Sequence, residues 1–172
     1  MNNHLSQPVY WTELHHHHWQ LYLAATSKGV CYVGSNYAPF EELEIWAARR
    51  FPHASLIRND DKLNLYREEI IEYLEGCREQ FTIPFDLQGT TFQLEVWQAL
   101  LKIPYGTTCS YSDIAQRLGR PSSSRAVGTA IGANPVLISI PCHRVIGKNG
   151  SLTGYRGGID MKTSLLKLEQ KN

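Results

Sequence analysis

Between Thr91 and Ile131 the chain alternates short apolar periodicities with turn formers, at spacings that leave it few ways to fold. Phe92, Val96, Ala99 and Leu100 recur at helical intervals over Thr91 to Leu101, the mark of a helix with one buried face. Pro104-Tyr105-Gly106 then turns the chain. Ser112 is a natural N-cap for a short helix over Ile114 to Leu118, and Ser122 or Ser123 can cap a second one reaching Ile131, with Gly119 and Pro121 between them. This is helix-turn-helix spacing, although helix pairs of this kind also occur as plain structure. The second helix reads Arg125-Ala126-Val127-Gly128-Thr129-Ala130. It lacks the several Arg, Asn or Gln side chains of a major-groove reader, and its small residues suit close approach in a minor groove.

Charge divides the chain at the same place. Residues 1–87 hold 7 Lys plus Arg against 12 Asp plus Glu, whereas residues 88–172 hold 10 against 4. A basic C-terminal half beside an acidic N-terminal half is the footprint of a nucleic-acid-binding domain joined to a non-binding one. In the acidic half, Trp19 to Ala24 and Val30 to Val33 read as strands around Ser27-Lys28-Gly29. Glu41 to Arg50 and Leu63 to Leu74 read as helices, with Gly76 as a stop signal. Ile83 to Leu87 reads as a linker or edge strand, because Pro84 cannot donate to a central ladder. The fold expected is an α/β N-terminal domain over 1–87 and a mainly helical, winged-helix-like C-terminal domain over 88–172.

The apolar run Pro135 to Ile140 leads into Pro141-Cys142-His143-Arg144-Val145, which seats a thiol beside the only histidine after His53. A free thiol needs a neighbouring base or positive charge to become a nucleophile, and His143 and Arg144 offer both. In an extended segment, adjacent side chains point to opposite faces, so a bridging water is expected to link Cys142 and His143. A base of this kind needs a carboxylate to fix its tautomer. Glu95, Asp113, Asp160 and Glu169 are available downstream, and sequence physics alone does not choose among them.

Ser110-Tyr111, Arg125 to Gly128, Gly132 to Pro135, Ile140 to Ile146 and Gly154-Tyr155 together resemble the O6-alkylguanine-DNA alkyltransferase family. The resemblance implies direct repair of double-stranded DNA containing O6-alkylguanine, with O4-alkylthymine as a further candidate, by irreversible transfer of the alkyl group to Cys142. It selects Glu169 as the acid orienting His143 and places Asn134 in the turn that leads to the nucleophile. It also implies a ribonuclease-H-like N-terminal domain. Arg125 would fill the stack left by an extruded guanine, and Tyr111 would press on the adjacent phosphate or donate a proton to N3 of the base. Ser112, Arg120, Ala126, Gly128 and Lys148 complete the expected DNA face. Tyr155, Arg156 and Gly157 are expected along the base pocket. Relatives of bacterial type often carry Trp after Tyr-Arg, so Gly157-Gly158 at that place implies a roomier or more mobile wall. A lesion sensor without enzymatic activity is the alternative, but that class lacks the acceptor thiol. A Cys-His hydrolase comes third, since the sequence names neither oxyanion donors nor a base for a second water.

No cofactor is implied, no metal is expected, and the chain reads as a monomer. The start Met1 to Leu5 has no signal-peptide apolar core and no stretch is long enough to span a membrane, which suits a cytoplasmic protein. Four cysteines without a C-x-x-C pair suit reduced thiols, and Cys31, Cys77 and Cys109 are expected as small core residues. The run His15 to His18 resembles a metal-binding tag but leads straight into a strand pattern, so it is read as structure.

Overall fold

A computed structural model describes residues 6–170, and the Met1 to Leu5 segment lies outside the described residues. The expected hairpin is present as β2 (Trp19–Thr26) and β3 (Gly29–Val33). It is joined by a strand that the periodicity did not reveal, β1 (Val9–His16), which pairs antiparallel with β2 from Tyr10↔Ala25 to His16↔Trp19. The polar residues Thr12, Glu13, His15 and His16 had masked its alternation. β4 (Leu56–Arg58) adds parallel to β1, giving the order β3-β2-β1-β4.

Alternation along these strands, broken on β3 where the β2–β3 register shifts beside Ala24 and Ala25, sorts two cores. Ala24, Cys31 and Tyr32 pack with Val9 against Leu43 of α1 (Phe40–Arg50). Leu21, Leu23, Ala25, Val30 and Val33 face the other way, toward α2 (Asn64–Leu74) and the C-terminal half. α2 stops as expected at Gly76, whose left-handed φ of 76° a side chain would resist. The Pro84 segment behaves as an edge, since Phe85 makes an isolated parallel bridge to Val30.

In the C-terminal half, α3 (Thr91–Leu100) starts at a capping box of Thr90 and Gln93. It packs on α5 (Ser124–Gly132), where buried Trp97 donates from Nε1 to the Ala130 carbonyl at 2.8 Å. α4 (Tyr111–Arg117) precedes α5, and Gly119, at φ 68°, breaks the chain between them. Ser112 is not the cap. Ser110 is, through a reciprocal box with Asp113, which moves the helix start back so that Tyr111 opens it. The Ser-x-x-Asp spacing carried that signal. Ser123 does occupy the N-cap of α5, but without a side-chain hydrogen bond. β5 (Cys109–Ser110) and β6 (Val145–Ile146) form a short parallel pair, and α6 (Ile159–Gln170) closes the fold.

The halves share one apolar cluster that includes Leu14, Ile70 and Tyr73 from the first and Val96, Ile103 and Leu165 from the second. Backbone bonds also cross: Val33 N donates to the Pro135 carbonyl at 2.9 Å, and Leu137 N to Val33 at 3.2 Å. All four cysteines are free, and Cys31, Cys109 and Cys142 are buried. Cys77 is exposed, contrary to expectation, because it follows the Gly76 stop into a surface turn. Among the described residues no helix is long and apolar enough to cross a membrane.

Candidate active site

The segment carrying the thiol is not extended. Pro141 leads into a single 3-10 turn, Cys142–Arg144, so successive side chains fan out around an axis rather than alternate. Nδ1 of His143 makes no hydrogen bond to the thiol, so the two side chains are not directly paired. Cys142 is 2% exposed and its Sγ receives a hydrogen bond from Asn134 Nδ2 at 3.1 Å. The same Nδ2 donates to the Ile140 carbonyl, while Asn134 Oδ1 accepts from Val136 N at 2.9 Å. One buried amide thus staples the turn after α5 to the nucleophile. Within that turn Ile138 holds a left-handed φ of 69°, a costly geometry for a β-branched residue that only a heavily cross-tied loop sustains.

His143 is fully buried, and its Nε2 lies 2.8 Å from Oε1 of Glu169, near the end of α6. Of the four candidate carboxylates, Glu169 is the one placed beside His143. Its carboxylate is crowded with donors. Arg144 contributes Nε at 3.0 Å to Oε2 and Nη2 at 2.7 Å to Oε1, Tyr73 of α2 donates its hydroxyl at 2.5 Å, and Gly106 N lies at 3.3 Å. Burial alone would raise the Glu169 pKa, but the bonds from His143, Arg144 and Tyr73 together bring it down to about 2. An ionised carboxylate only accepts, so Nε2 of His143 carries the proton and Nδ1 holds a lone pair. Burial, reinforced by Arg144 and Lys162, keeps the His143 pKa below its ordinary value. The ring is neutral, and its Nδ1 is buried without a protein partner.

Burial also raises the Cys142 pKa, and the Asn134 bond with the charges of Arg156 and Lys162 only partly opposes this. The resting group is therefore a neutral thiol beside a neutral imidazole. Activation by a standing positive charge from His143 or Arg144 is not what the structure contains, since Arg144 is neutralised by Glu169. A base that takes the proton during attack fits better.

Tyr155 is buried and its hydroxyl has no protein partner. Its pKa lies well above the usual tyrosine value, first from burial and then from the nearby Cys142. Tyr111, half-buried at the start of α4, donates to the Thr153 carbonyl at 2.9 Å. Arg125 and Ala126 are exposed near the N-terminus of α5, and Arg125 makes no ion pair among the described residues. Gly128 faces the Tyr111 ring, and Lys148 is exposed in a turn near β6.

Other expected residues have different surroundings. Ser112 pairs its hydroxyl with Ser110. Arg120 binds Glu95 at 3.1 Å and lies over the Phe92 ring, so it is already engaged. Arg156 is engaged by its own partners: it donates to the carbonyls of Asn134, Pro135 and Val33 and lies over Tyr32, clamping the two halves. Gly157 does not mark open space. A Cβ there would come within 2.6 Å of Met161 Sδ and Tyr155 Cε1, so the missing indole reflects tight packing.

Sequence reasoning missed Tyr73, the role of Arg144 as the clamp on Glu169, and Lys162, whose buried ammonium donates to the Val145 and Thr153 carbonyls. Tyr73 does follow Tyr66 and Ile70 at helical spacing, a signal for burial but not for its distant partner.

Comparison with known proteins finds the ribonuclease-like domain of 6-O-methylguanine DNA methyltransferase over residues 9–87 and its DNA-binding domain over residues 91–171. An inducible methylated-DNA–protein-cysteine methyltransferase of Bacillus subtilis is 59% identical over 95% of this chain and 91% of that one. A methylated-DNA–protein-cysteine methyltransferase of Mycobacterium tuberculosis is 52% identical over 60% of this chain and 62% of its own length. The crystal structure of Mycobacterium tuberculosis OGT in complex with DNA superposes with a TM-score of 0.80 at 36% identity, covering 94% of this chain and 92% of that one.

Proposed function

This chain belongs to the 6-O-methylguanine DNA methyltransferase family, and from that membership and the geometry of its buried thiol we propose that it repairs O6-alkylguanine in duplex DNA by moving the alkyl group onto Cys142. The observation that carries the reading is the line Asn134, Cys142, His143, Glu169: a thiol fixed by an amide, next to a neutral imidazole whose tautomer a carboxylate sets.

In this reading the lesion is rotated out of the helix, because a thiol that is 2% exposed cannot reach a base edge inside a duplex. Arg125, exposed on α5, occupies the vacated stack while the small residues Ala126 and Gly128 let the helix approach the minor groove. The thiol proton passes through a water to Nδ1 of His143, and the imidazolium so formed is held by Glu169. The Sγ–carbon bond forms as the carbon–O6 bond breaks, and the departing guanine takes its proton at a ring nitrogen. Tyr111 is the donor this reading favours, exchanging the Thr153 carbonyl for N3 of the base. Tyr155, with an unpartnered hydroxyl, supplies a second hydrogen bond to the base. The product is a thioether, which lacks the activated carbonyl of an acyl-enzyme and gives water no easy route to release it. The protein acts once, as a monomer.

Intact and peptide mass spectrometry after incubation with O6-methylguanine duplex tests this. One methyl per chain, confined to the Cys142 peptide, with guanine regenerated and nothing on Cys142→Ser, is expected. Sustained turnover, or an abasic site in the DNA, would refute it. The sensor alternative predicts binding without any added mass, and the presence of Cys142 already weighs against it.

A further inference from the structure

The end of α2 and the tip of the β1–β2 hairpin bring together donors that no step of the proposed repair uses. Strand alternation would send His16 and His17 to opposite faces. Instead His17 takes a left-handed φ of 52°, which folds its ring back to 4.3 Å from that of His16. Glu75, the C-cap of α2, reaches the same point from a distant part of the chain. One potential ligand atom from each of His16, His17 and Glu75 lies within 4.8 Å of the other two.

Two details distinguish this cluster from a chance ion pair. Nε2 of His16 is buried and makes no hydrogen bond, although Oε1 of Glu75 is 3.3 Å away. Tetrahedral ligands bound at about 2.0–2.2 Å sit roughly 3.3–3.5 Å from one another, so this separation suits two donors sharing an ion better than a donor and an acceptor sharing a proton. The carbonyl end of α2 also favours a positive charge there. The neighbouring imidazoles are otherwise occupied: His15 binds Glu13 at 2.7 Å and His18 lies on Trp19.

We propose that His16, His17 and Glu75 form a binding site for a divalent transition-metal ion of the zinc class. Two imidazoles and one carboxylate match borderline ions such as Zn2+ rather than Ca2+ or Mg2+, which call for more oxygen ligands. Three protein ligands leave a fourth position to water. The reading of the histidine run as structure alone is thereby revised, since the ligand that completes the set is remote in sequence. A bound ion would fasten the hairpin tip to the end of α2, two residues beyond Tyr73.

The test is titration of the tag-free full chain with Zn2+, followed by calorimetry and thermal melting. One equivalent should bind and raise the melting temperature. His16→Ala should lower affinity at least tenfold, and Glu75→Gln, at an exposed position that does not endanger folding, should do the same. His15→Ala, Cys77→Ala and Cys142→Ser should retain binding. The proposal is overturned if no stoichiometric binding occurs, if Glu75→Gln binds as the wild type does, or if any of the three controls loses as much affinity as His16→Ala. None of these readouts depends on alkyl transfer.

Discussion

Tyr73 ties chemistry to a residue outside the motif-bearing half, and its effect can be separated from simple packing. Its hydroxyl stands 2.5 Å from Oε1 of Glu169 and 3.2 Å from Nε2 of His143. Tyr73→Phe removes a hydrogen bond to a charged group, worth about 1.5–3 kcal/mol, and should slow alkyl transfer roughly tenfold while lowering stability. A packing role would stop there. A positioning role adds a change in the rate–pH profile: with one donor gone, more of the Glu169 charge acts on His143 and raises its pKa. In the wild type the base is lost below the ordinary histidine value of 6.5, so the acid limb of the rate should lie below it and move up toward it in Tyr73→Phe. An unmoved limb would make Tyr73 a packing residue. Glu169→Gln should cost more, about 10²-fold or greater in single-turnover rate, because the tautomer of His143 and the stability of its charged form are lost together.

At the scale of elements, α5 carries a trade between stability and contact. Gly128 sits inside the helix, and a Cβ there would meet Tyr111 Cδ1 at 3.6 Å, an ordinary contact. Gly128→Ala should therefore stabilise the free protein by about 0.5–1 kcal/mol, read as a higher melting temperature. The added methyl faces the surface proposed to approach DNA, so duplex affinity should fall while reaction with a free alkylguanine base stays unchanged. Arg125→Ala should show the same split more strongly, slowing duplex repair far more than the free-base reaction; equal losses would put Arg125 in the chemical step. These elements were legible because α3 to α5 carry both an apolar period and punctuation by Gly and Pro. β1 was not, since its alternation is broken by polar residues that pair across the sheet, as Glu13 and Gln20 do. The start of α4 was misread by choosing the serine nearest the apolar run instead of the one with an acid three residues on.

For the whole molecule, the groups proposed to react were legible in the sequence, and little of what holds them was. Cys142, His143 and Asn134 lie close together in the chain, whereas the clamp on Glu169 draws on α2, the loop at Gly106, the 3-10 turn and α6, and no local pattern reports such convergence. Because that carboxylate joins both halves, its titration should be felt as global stability. Its folded pKa of about 2 lies below the ordinary 4.5, so its contribution is complete above 4.5 and lost as pH falls toward 2. His143 acts in the same sense: its folded pKa is depressed, the unfolded chain takes up the proton first, and stability begins to fall below pH 6.5. Denaturant midpoints measured against pH should thus decline gently below 6.5 and steeply below 4.5. In Glu169→Gln the steep part should flatten, while stability at neutral pH drops by about 3–5 kcal/mol because Arg144 is left buried without its partner. Parallel profiles for the two proteins below pH 4.5 would show that the acid response arises elsewhere and that Glu169 does not couple the halves.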